Sequence, residues 1–161
     1  MSEFKKNVYV VLHNVHAVSK VIETAQVVYG LGFQNFVVSR AEGSAAHAGV
    51  PEANRFSMKM KRNFMVLPDL QDVIEILNID KPLLIVSPKL SKNRIIMEEI
   101  RQRATSGDKL VIVLTGSTSS FSRKEMDLGE CKSLDSEIDI GPAGTAAVIL
   151  HHIRLGDSLS A

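Results

Sequence analysis

The stretch "IDIGPAGTAAVILHHI", residues 138–153, decides how this sequence is interpreted. It begins as a short apolar strand, passes through Gly141-Pro142-Ala143-Gly144-Thr145 and continues directly into an apolar helix. Glycine lets the backbone approach a ligand closely, and the first turn of a helix offers free N–H groups. The pattern therefore predicts a loop that holds a small ligand, late in the chain.

The composition indicates one globular domain, spanning residues 1–161. Hydrophobic residues make up 45% of the 161 positions, enough for a substantial core. The formal charge of +1 excludes a strongly polyanion-seeking protein but leaves room for a local basic patch. A single cysteine, Cys131, excludes a disulfide framework, favours a reducing cytosol and is interpreted as a passive thiol.

We also expect a soluble, cytoplasmic protein without membrane contact. The first six residues lack the apolar core of a secretory signal. No apolar run approaches the roughly 20 residues that a bilayer span needs.

Apolar runs alternate with helical periodicity along the chain. Val8–Leu12 is continuously apolar, which is typical of a strand buried on both faces, and the apolar residues of 18–29 recur at helical spacing. This alternation predicts an α/β fold with a mostly parallel sheet and helices on both faces. We predict strands at 8–12, 36–38, 64–67, 83–86, 110–114 and 137–140. We predict helices at 18–29, 70–77, 91–105, near 123–128 and from 143 onwards, with one or two short helices in the loop 41–63.

A second glycine turn, Thr115-Gly116-Ser117, follows the predicted fifth strand. In doubly wound sheets, ligands lie beyond the carboxyl ends of the strands, so we expect this turn and the one at Gly141 to enclose one ligand. The dinucleotide pattern G-x-G-x-x-G and the phosphate-loop pattern G-x-x-x-x-G-K-[ST] are both absent from the sequence.

Three segments together resemble the small SPOUT methyltransferases of the SpoU type, the α/β-knot RNA-modifying enzymes. Leu12, Asn14, Ala25 and Gly30 agree with the first motif of that family. The strand and turn at 111–117 are similar to its second motif, and 138–152 is similar to its third. The resemblance covers nearly the whole chain in order and spacing.

This resemblance implies a trefoil knot in the C-terminal third, whose loops would hold S-adenosylmethionine in a bent form. It also implies a homodimer that pairs through the first and last helices, an RNA substrate and no metal. The implied cofactor contacts are Ser87, Leu114, Thr115, Gly116, Ile138, Ile140, Gly141, Pro142, Gly144, Thr145 and Ala146.

The sequence departs from the family at the residues that do chemistry. The family arginine of the first motif corresponds to Glu23, and the glutamate of the second to Thr118. A carboxylate cannot replace an arginine that steers a hydroxyl group. The remaining catalytic candidates are Asn14, which would orient the substrate, Glu23, which would act as a base, and Arg40, which would supply a positive charge. Their alternative roles are a turn residue, a solvated helix charge and a surface cation.

A basic cluster in residues 55–62 is a candidate RNA contact. Arg55, Lys59, Lys61 and Arg62 lie close to Phe56, and cations beside an aromatic ring suit phosphate neutralisation and base stacking. His13-x-x-His16 lacks a Glu-bearing helical metal signature, so structural or interface roles are expected for these histidines.

Our main expectation is therefore an S-adenosylmethionine-dependent RNA methyltransferase, modifying a ribose 2′-hydroxyl or a base by in-line displacement. Two alternatives stay open. One is a non-catalytic RNA- or cofactor-binding protein on the same scaffold. The other is an unknotted nucleotide-binding regulator of ordinary doubly wound fold.

Overall fold

One six-stranded sheet forms the centre of the molecule. The computed structural model describes residues 4–118 and 120–160. All strand pairs are parallel, in the order β3-β2-β1-β5-β4-β6. The predicted α/β class with a parallel sheet is thus confirmed. The strands are β1 Val8–Val15, β2 Asn35–Ala41, β3 Asn63–Leu67, β4 Leu83–Val86, β5 Leu110–Thr115 and β6 Glu130–Ser133.

Helices cover both faces of the sheet. The helices α2, α3, α5 and α7 contribute buried side chains to one core, and α4 and α6 pack against the other. A single π-helical turn, Ala45–Gly49, precedes α3. The helices are α1 Phe4–Asn7, α2 Val18–Gly30, α3 Val50–Met60, α4 Leu70–Leu77, α5 Met97–Thr105, α6 Arg123–Met126 and α7 Pro142–Ser160.

The central position of β1 explains its uninterrupted apolar sequence. Val10 and Leu12 are buried in one core and Val11 in the other, because alternate residues of a strand point to opposite faces. A strand covered on both faces needs apolar residues at every position. The first polar residue in the buried part of β1 is His13, near its carboxyl end.

A crevice is expected where β1 and β5 end side by side. The helix after β1 packs on one face of the sheet and α6, after β5, packs on the other. Neighbouring strands whose connections leave to opposite faces form a topological switch point, which is where open α/β sheets bind ligands. His13 and Thr115 are register partners at this point.

The predicted strand at 137–140 is wrong. These residues form no strand; Ile138 is 64% exposed and Ile140 43% exposed. The sixth strand is instead Glu130–Ser133, which pairs with β4 at the edge of the sheet. An edge strand is only partly covered, so its polar sequence, Glu-Cys-Lys-Ser, gave no apolar run to detect.

The helix predicted from residue 91 begins only at Met97. The preceding segment follows the edge of the sheet, with Arg94 in a parallel bridge to Ser133. The Ile95 N–H also donates to the Ser133 carbonyl at 2.8 Å. Backbone pairing with β6 thus replaces the first turns of the predicted helix.

The trefoil knot, the single domain and the homodimer stay predictions. The long α7 exposes Val148 and Leu155, at 45% and 43%. Among the described residues, no helix combines the length and the hydropathy that crossing a lipid bilayer would need.

Gly116 is required by the close approach of two strand ends. A Cβ built there would lie 2.7 Å from Val15 Cβ and 2.9 Å from Val15 Cα.

We predict that Gly116→Ala lowers the free energy of unfolding by about 1–3 kcal/mol through overpacking. Gly30→Ala is the matched control, since nothing lies within 4 Å of its Cβ position. Urea unfolding would measure both; equal stabilities would contradict the proposed crowding.

Candidate metal centre at the carboxyl ends of the strands

Three potential metal ligands converge beside the end of β1. One ligand atom each from His13, Asp69 and Glu125 lies within 4.8 Å of the others. His13 comes from β1, Asp69 is the N-cap of α4 directly after β3, and Glu125 lies on α6 after β5. The parallel sheet brings residues from distant parts of the chain to one edge.

His13 is fully buried, and neighbouring side chains contact its ring face and both ring nitrogens. Its ring stacks on Phe121, with centroids 6.1 Å apart. Nδ1 lies 2.8 Å from Ser39 Oγ, and Nε2 makes a short hydrogen bond with Glu125 Oε2. Burial lowers the pKa of His13, against the raising effect of Glu125. A neutral imidazole therefore donates its Nε2–H to the carboxylate, while Nδ1 accepts the Ser39 hydroxyl proton.

Glu125 is fixed by a capping box at the start of α6. The Ser122 N–H donates to Glu125 Oε1 at 2.8 Å, and the Glu125 N–H donates back to Ser122 Oγ. Burial opposes ionisation of this carboxyl group, but hydrogen bonds from Ser122 and His13 outweigh it and lower the pKa of Glu125. Glu125 is therefore an ionised carboxylate in a buried position.

Asp69 caps α4 and faces the cluster. Its Oδ1 accepts the Leu70 N–H at 2.8 Å and lies 3.9 Å from His13 Nε2. Burial again raises the pKa, but the Leu70 N–H and the Arg40 guanidinium lower it more, so the pKa of Asp69 lies below its usual value.

Arg40, at the end of β2, connects the two carboxylates. Its Nη2 donates to Asp69 Oδ2 at 2.8 Å, and its Nη1 lies 3.7 Å from Glu125 Oε2. The Arg40 side chain is 38% exposed. The hydrogen bond to Asp69 raises the pKa of Arg40, so the guanidinium stays charged.

The backbone around the cluster is strained. Among the described residues, five non-glycine residues have positive φ, and two of these, Lys61 and Asn78, are ordinary C-caps of helices. The other three are Asn14 (φ 58°), Arg40 (φ 48°) and Ser120 (φ 64°). Asn14 follows His13 in the chain, and Ser120 precedes the stacked Phe121. Asparagine adopts this conformation at little cost, but it is strained for Arg40 and Ser120, and such strain concentrates at functional sites.

Ser120 adds an unsatisfied polar group to this region. It is 7% exposed, and its buried Oγ has no hydrogen-bond partner within the described residues. A buried hydroxyl group without a partner costs about 1–3 kcal/mol.

The donor set fits a divalent cation. Two ionised carboxylates and one neutral imidazole are the protonation states that metal ligands need. The Ser39 hydroxyl group can accept an Nδ1–H as readily as it donates, so it could hold the tautomer that frees Nε2. A mixed oxygen and nitrogen set suits Mn²⁺ or Zn²⁺. The expectation that no metal is involved is therefore not supported.

Two of the three predicted catalytic residues lie at this cluster. Arg40 belongs to it, and Asn14 adjoins His13 in a left-handed conformation. Glu23 is instead a solvent-exposed residue of α2.

A separate pocket lies at the neighbouring strand ends, lined by Thr115 of the first glycine turn and by the Gly141 turn. Its empty space is about 320 Å³, counting the mouth that opens to solvent. The predicted cofactor residues Ser87, Gly116, Ile138, Gly144 and Ala146 do not line it, although Pro88 does. The predicted residues that do line it are Leu114, Thr115, Ile140, Gly141, Pro142 and Thr145.

The basic cluster is not brought to this edge. Lys61 and Arg62 precede β3 and Asp69 follows it, so the five residues of β3 separate them by about 3.3 Å each. Lys59 is exposed on α3, where Arg55 pairs with Glu52 at 2.6 Å. These cations lie towards the amino ends of the strands.

Sequence reasoning missed the cluster itself. Each ligand did carry a signal: His13 is a polar residue at the end of an apolar run, and Asp69 lies two residues after another strand. Glu125 is the last residue of the capping box Ser-Arg-Lys-Glu. Polar residues at the carboxyl ends of parallel strands are expected to converge, and this rule was applied only to the glycine turns.

Sequence comparison shows which family this chain resembles. The sequence model of the family described as "RecB-family nuclease (DUF2122)" matches residues 43–152, more than half of the chain. The chain belongs to this family.

Two relatives of the DUF2122 chain agree with the nuclease description. "Putative type II restriction enzyme ApeKORF2002P" of Aeropyrum pernix is 31% identical over 152 residues, covering 91% of this chain and 92% of the relative. "Putative type II restriction enzyme MjaORF1200P" of Methanocaldococcus jannaschii is 26% identical over 148 residues, covering 92% and 97%. These relatives contradict the predicted RNA methyltransferase function.

Comparison with solved structures finds similarity to methyltransferases instead. A "Probable Methyltransferase" of Bordetella pertussis has a TM-score of 0.74 at 11% identity, covering 94% of this chain and 96% of that one. The SpoU methyltransferase AviRb of Streptomyces viridochromogenes, solved with AdoMet, has a TM-score of 0.67 at 13% identity, covering 96% and 62%. At such identities the likeness shows the fold alone. Both groups carry the names of enzymes.

The carboxylate of Glu125 gives a test of the cluster by pH. Its folded-state pKa lies below the unfolded value of about 4.3, so its stabilising effect is present above that pH and is lost as pH falls through the folded pKa. We predict that Glu125→Gln lowers the free energy of unfolding by about 1.5–3 kcal/mol at pH 7. The difference from wild type should shrink below about pH 4.

Urea unfolding between pH 7 and 3 would measure this difference. Glu130→Gln is the control, since Glu130 forms a half-exposed pair with Arg103 worth at most about 1 kcal/mol. A Glu125→Gln effect that does not change with pH would contradict a role for the ionised carboxylate.

Proposed function

We propose that this protein hydrolyses phosphodiester bonds of nucleic acid with the help of a divalent metal ion. The observation that carries the proposal is the convergence of His13, Asp69 and Glu125 at the switch point of the sheet. The nuclease family and the restriction-enzyme names of the two relatives support the same reaction class.

The three ligands would hold the ion in a defined position. His13 Nε2, Asp69 Oδ1 and Glu125 Oε2 are the atoms that face each other. Ser39 and Phe121 fix the imidazole, Leu70 fixes one carboxylate and Ser122 the other. A bound divalent ion would supply Lewis-acid polarisation of a phosphoryl oxygen and a more acidic water.

Cations around the cluster would orient the phosphate. Arg40 presents a planar guanidinium beside the ligands, and such a group binds phosphate oxygens in pairs. Arg123 and Lys124, both exposed, immediately precede Glu125 on α6. These two would neutralise the backbone charge of the substrate next to the scissile bond.

We predict cleavage of labelled duplex DNA in Mn²⁺ or Mg²⁺ and none in EDTA. Asp69→Asn should lower the rate by more than about 10²-fold, because changes to outer-shell partners alone cost about 10–100-fold. Asparagine caps a helix as well as aspartate does, so the fold should survive. A single-stranded RNA of the same sequence would serve as the second substrate.

Asp72→Asn is the control for this experiment, because Asp72 lies on the same helix outside the cluster. It should cleave at the wild-type rate. Cleavage that survives Asp69→Asn, or that needs no metal, would contradict the proposal; intact DNA and RNA with folded wild-type protein would reject it outright.

As a second proposal, the pocket at the glycine turns binds the adenosyl group of S-adenosylmethionine, without methyl transfer. Apolar side chains of Ile85, Leu114 and Ile140 line it together with the Gly141 turn. A protein of the same fold has been solved with AdoMet.

We predict that S-adenosylhomocysteine binds with micromolar affinity in a calorimetric titration and that Gly144→Arg abolishes the binding. A Cβ at Gly144 already lies 3.4 Å from the Ile140 side chain, so a long side chain would enter the pocket mouth. Val148→Arg adds the same charge at an exposed position of α7 and should bind normally. Absence of heat from the wild type would dismiss this ligand.

A further inference from the structure

We propose that Arg40 couples the binding of metal and phosphate, so that each ligand tightens the binding of the other. The inference rests on the proposed function, since it concerns the same ligand atoms. It names a phosphodiester oxygen as the group that Arg40 recognises.

The Arg40 guanidinium lies next to the carboxylate oxygens of Asp69 and Glu125 that a metal ion would use. Glu125 Oε2 contacts His13 Nε2 and also lies 3.7 Å from Arg40 Nη1. The other Glu125 oxygen is already committed to the Ser122 N–H. On Asp69, Arg40 holds Oδ2 at 2.8 Å, while Oδ1 faces the imidazole. Arg40 and a cation between the three ligands would therefore be near neighbours.

The Arg40 guanidinium and a metal ion are both positive, so they would repel each other beside the same pair of carboxylates. The carboxylates carry two negative charges, which the guanidinium already compensates in part. A divalent ion added beside Arg40 would meet this positive charge in a partly buried place, where solvent screens it weakly. Arg40 in its present position thus lowers the affinity for metal.

A phosphate group can relieve this repulsion. The Arg40 side chain is 38% exposed, so its guanidinium can turn outwards while the backbone stays in place. A phosphodiester oxygen would then accept hydrogen bonds from the Nη groups in place of the carboxylates. Its negative charge would lie between the guanidinium and the metal. The negative charge of Glu42 also acts on Arg40. It would weaken the contact between Arg40 and the phosphate without replacing it.

Thermodynamic linkage makes the effect reciprocal. If phosphate raises the affinity for metal by a given factor, metal raises the affinity for phosphate by the same factor. Coupling between two ligands of one site is typically about 5–150-fold. The ion would then be held firmly only when a substrate is present.

The test measures Mn²⁺ affinity by electron paramagnetic resonance, with and without dimethyl phosphate. The proteins are the full-length wild type, Arg40→Asn and Arg40→Lys. Asparagine tolerates the left-handed backbone at this position, so the fold should be kept. Lys81→Gln removes an exposed cation at the amino end of β4, the opposite edge of the sheet from the cluster, and serves as the control.

We expect dimethyl phosphate to tighten Mn²⁺ binding to the wild type and to Lys81→Gln by about tenfold or more. Arg40→Asn should bind Mn²⁺ more tightly than the wild type when phosphate is absent, and phosphate should have little effect on it. Arg40→Lys, which keeps the charge but not the planar fork, should bind Mn²⁺ as weakly as the wild type and show reduced coupling.

The outcomes separate this inference from the proposed function. If all four proteins bind Mn²⁺ with the same affinity and the same response to phosphate, the role of Arg40 is overturned and the metal centre stands. If none of them binds Mn²⁺, Arg40→Asn included, the metal centre itself is overturned, and the coupling with it.

Discussion

The buried hydrogen bond between His13 and Glu125 is the interaction on which the site depends. It joins two residues 112 positions apart, one at the end of the central strand and one on a helix of only four residues. So short a helix has little stability of its own. Its capping box, the stacking of Phe121 on the imidazole and this hydrogen bond together determine where α6 lies. The ionised carboxylate is thereby held in a place that would otherwise favour its neutral form.

The topology of the sheet explains why so many groups meet at one point. β1 lies between β2 and β5, so Ser39 and Thr115 flank His13 on the same face. The neighbouring strand ends also carry the pocket of the Gly141 turn, and Thr115 lines that pocket. The two candidate sites thus lie at neighbouring strand ends, with Thr115 of the pocket as the register partner of His13. One scaffold could present a phosphate-binding centre and an apolar pocket to the same extended ligand.

Sequence reasoning succeeded at strands with a continuous apolar run, including the edge strand β3, whose residues are at most partly buried. The five predicted strands at 8–12, 36–38, 64–67, 83–86 and 110–114 all lie within observed strands, since each is covered on at least one face by apolar side chains. It failed at β6, where an edge position permits polar residues. It also failed at the metal ligands, because periodicity reports which face a residue occupies and not which distant residue it meets. Asn14 was selected because it keeps a position of the family's first motif, and Arg40 because it follows the second predicted strand; no local pattern indicates their left-handed backbone.

The prediction of function was also incorrect because a fold does not determine the chemistry that it carries. The order of strands and glycine turns resembles SPOUT enzymes, and solved methyltransferases share the fold at 10–13% identity. The relatives in sequence are named as nucleases. A scaffold hosts whatever chemistry its loop residues allow. The departures at Glu23 and Thr118 already indicated that the reacting groups differ.

The polar sequence of β6 has a consequence for assembly. Glu130 and Lys132 on this strand pair with Arg103 and Glu99 of α5, so charged side chains border this rim of the sheet. Such a rim resists addition of a strand from another molecule, because charged side chains disfavour edge pairing and because the segment around Arg94 already binds the backbone groups of Ser133. At this side, contacts between molecules would therefore have to use helices instead of continuing the sheet.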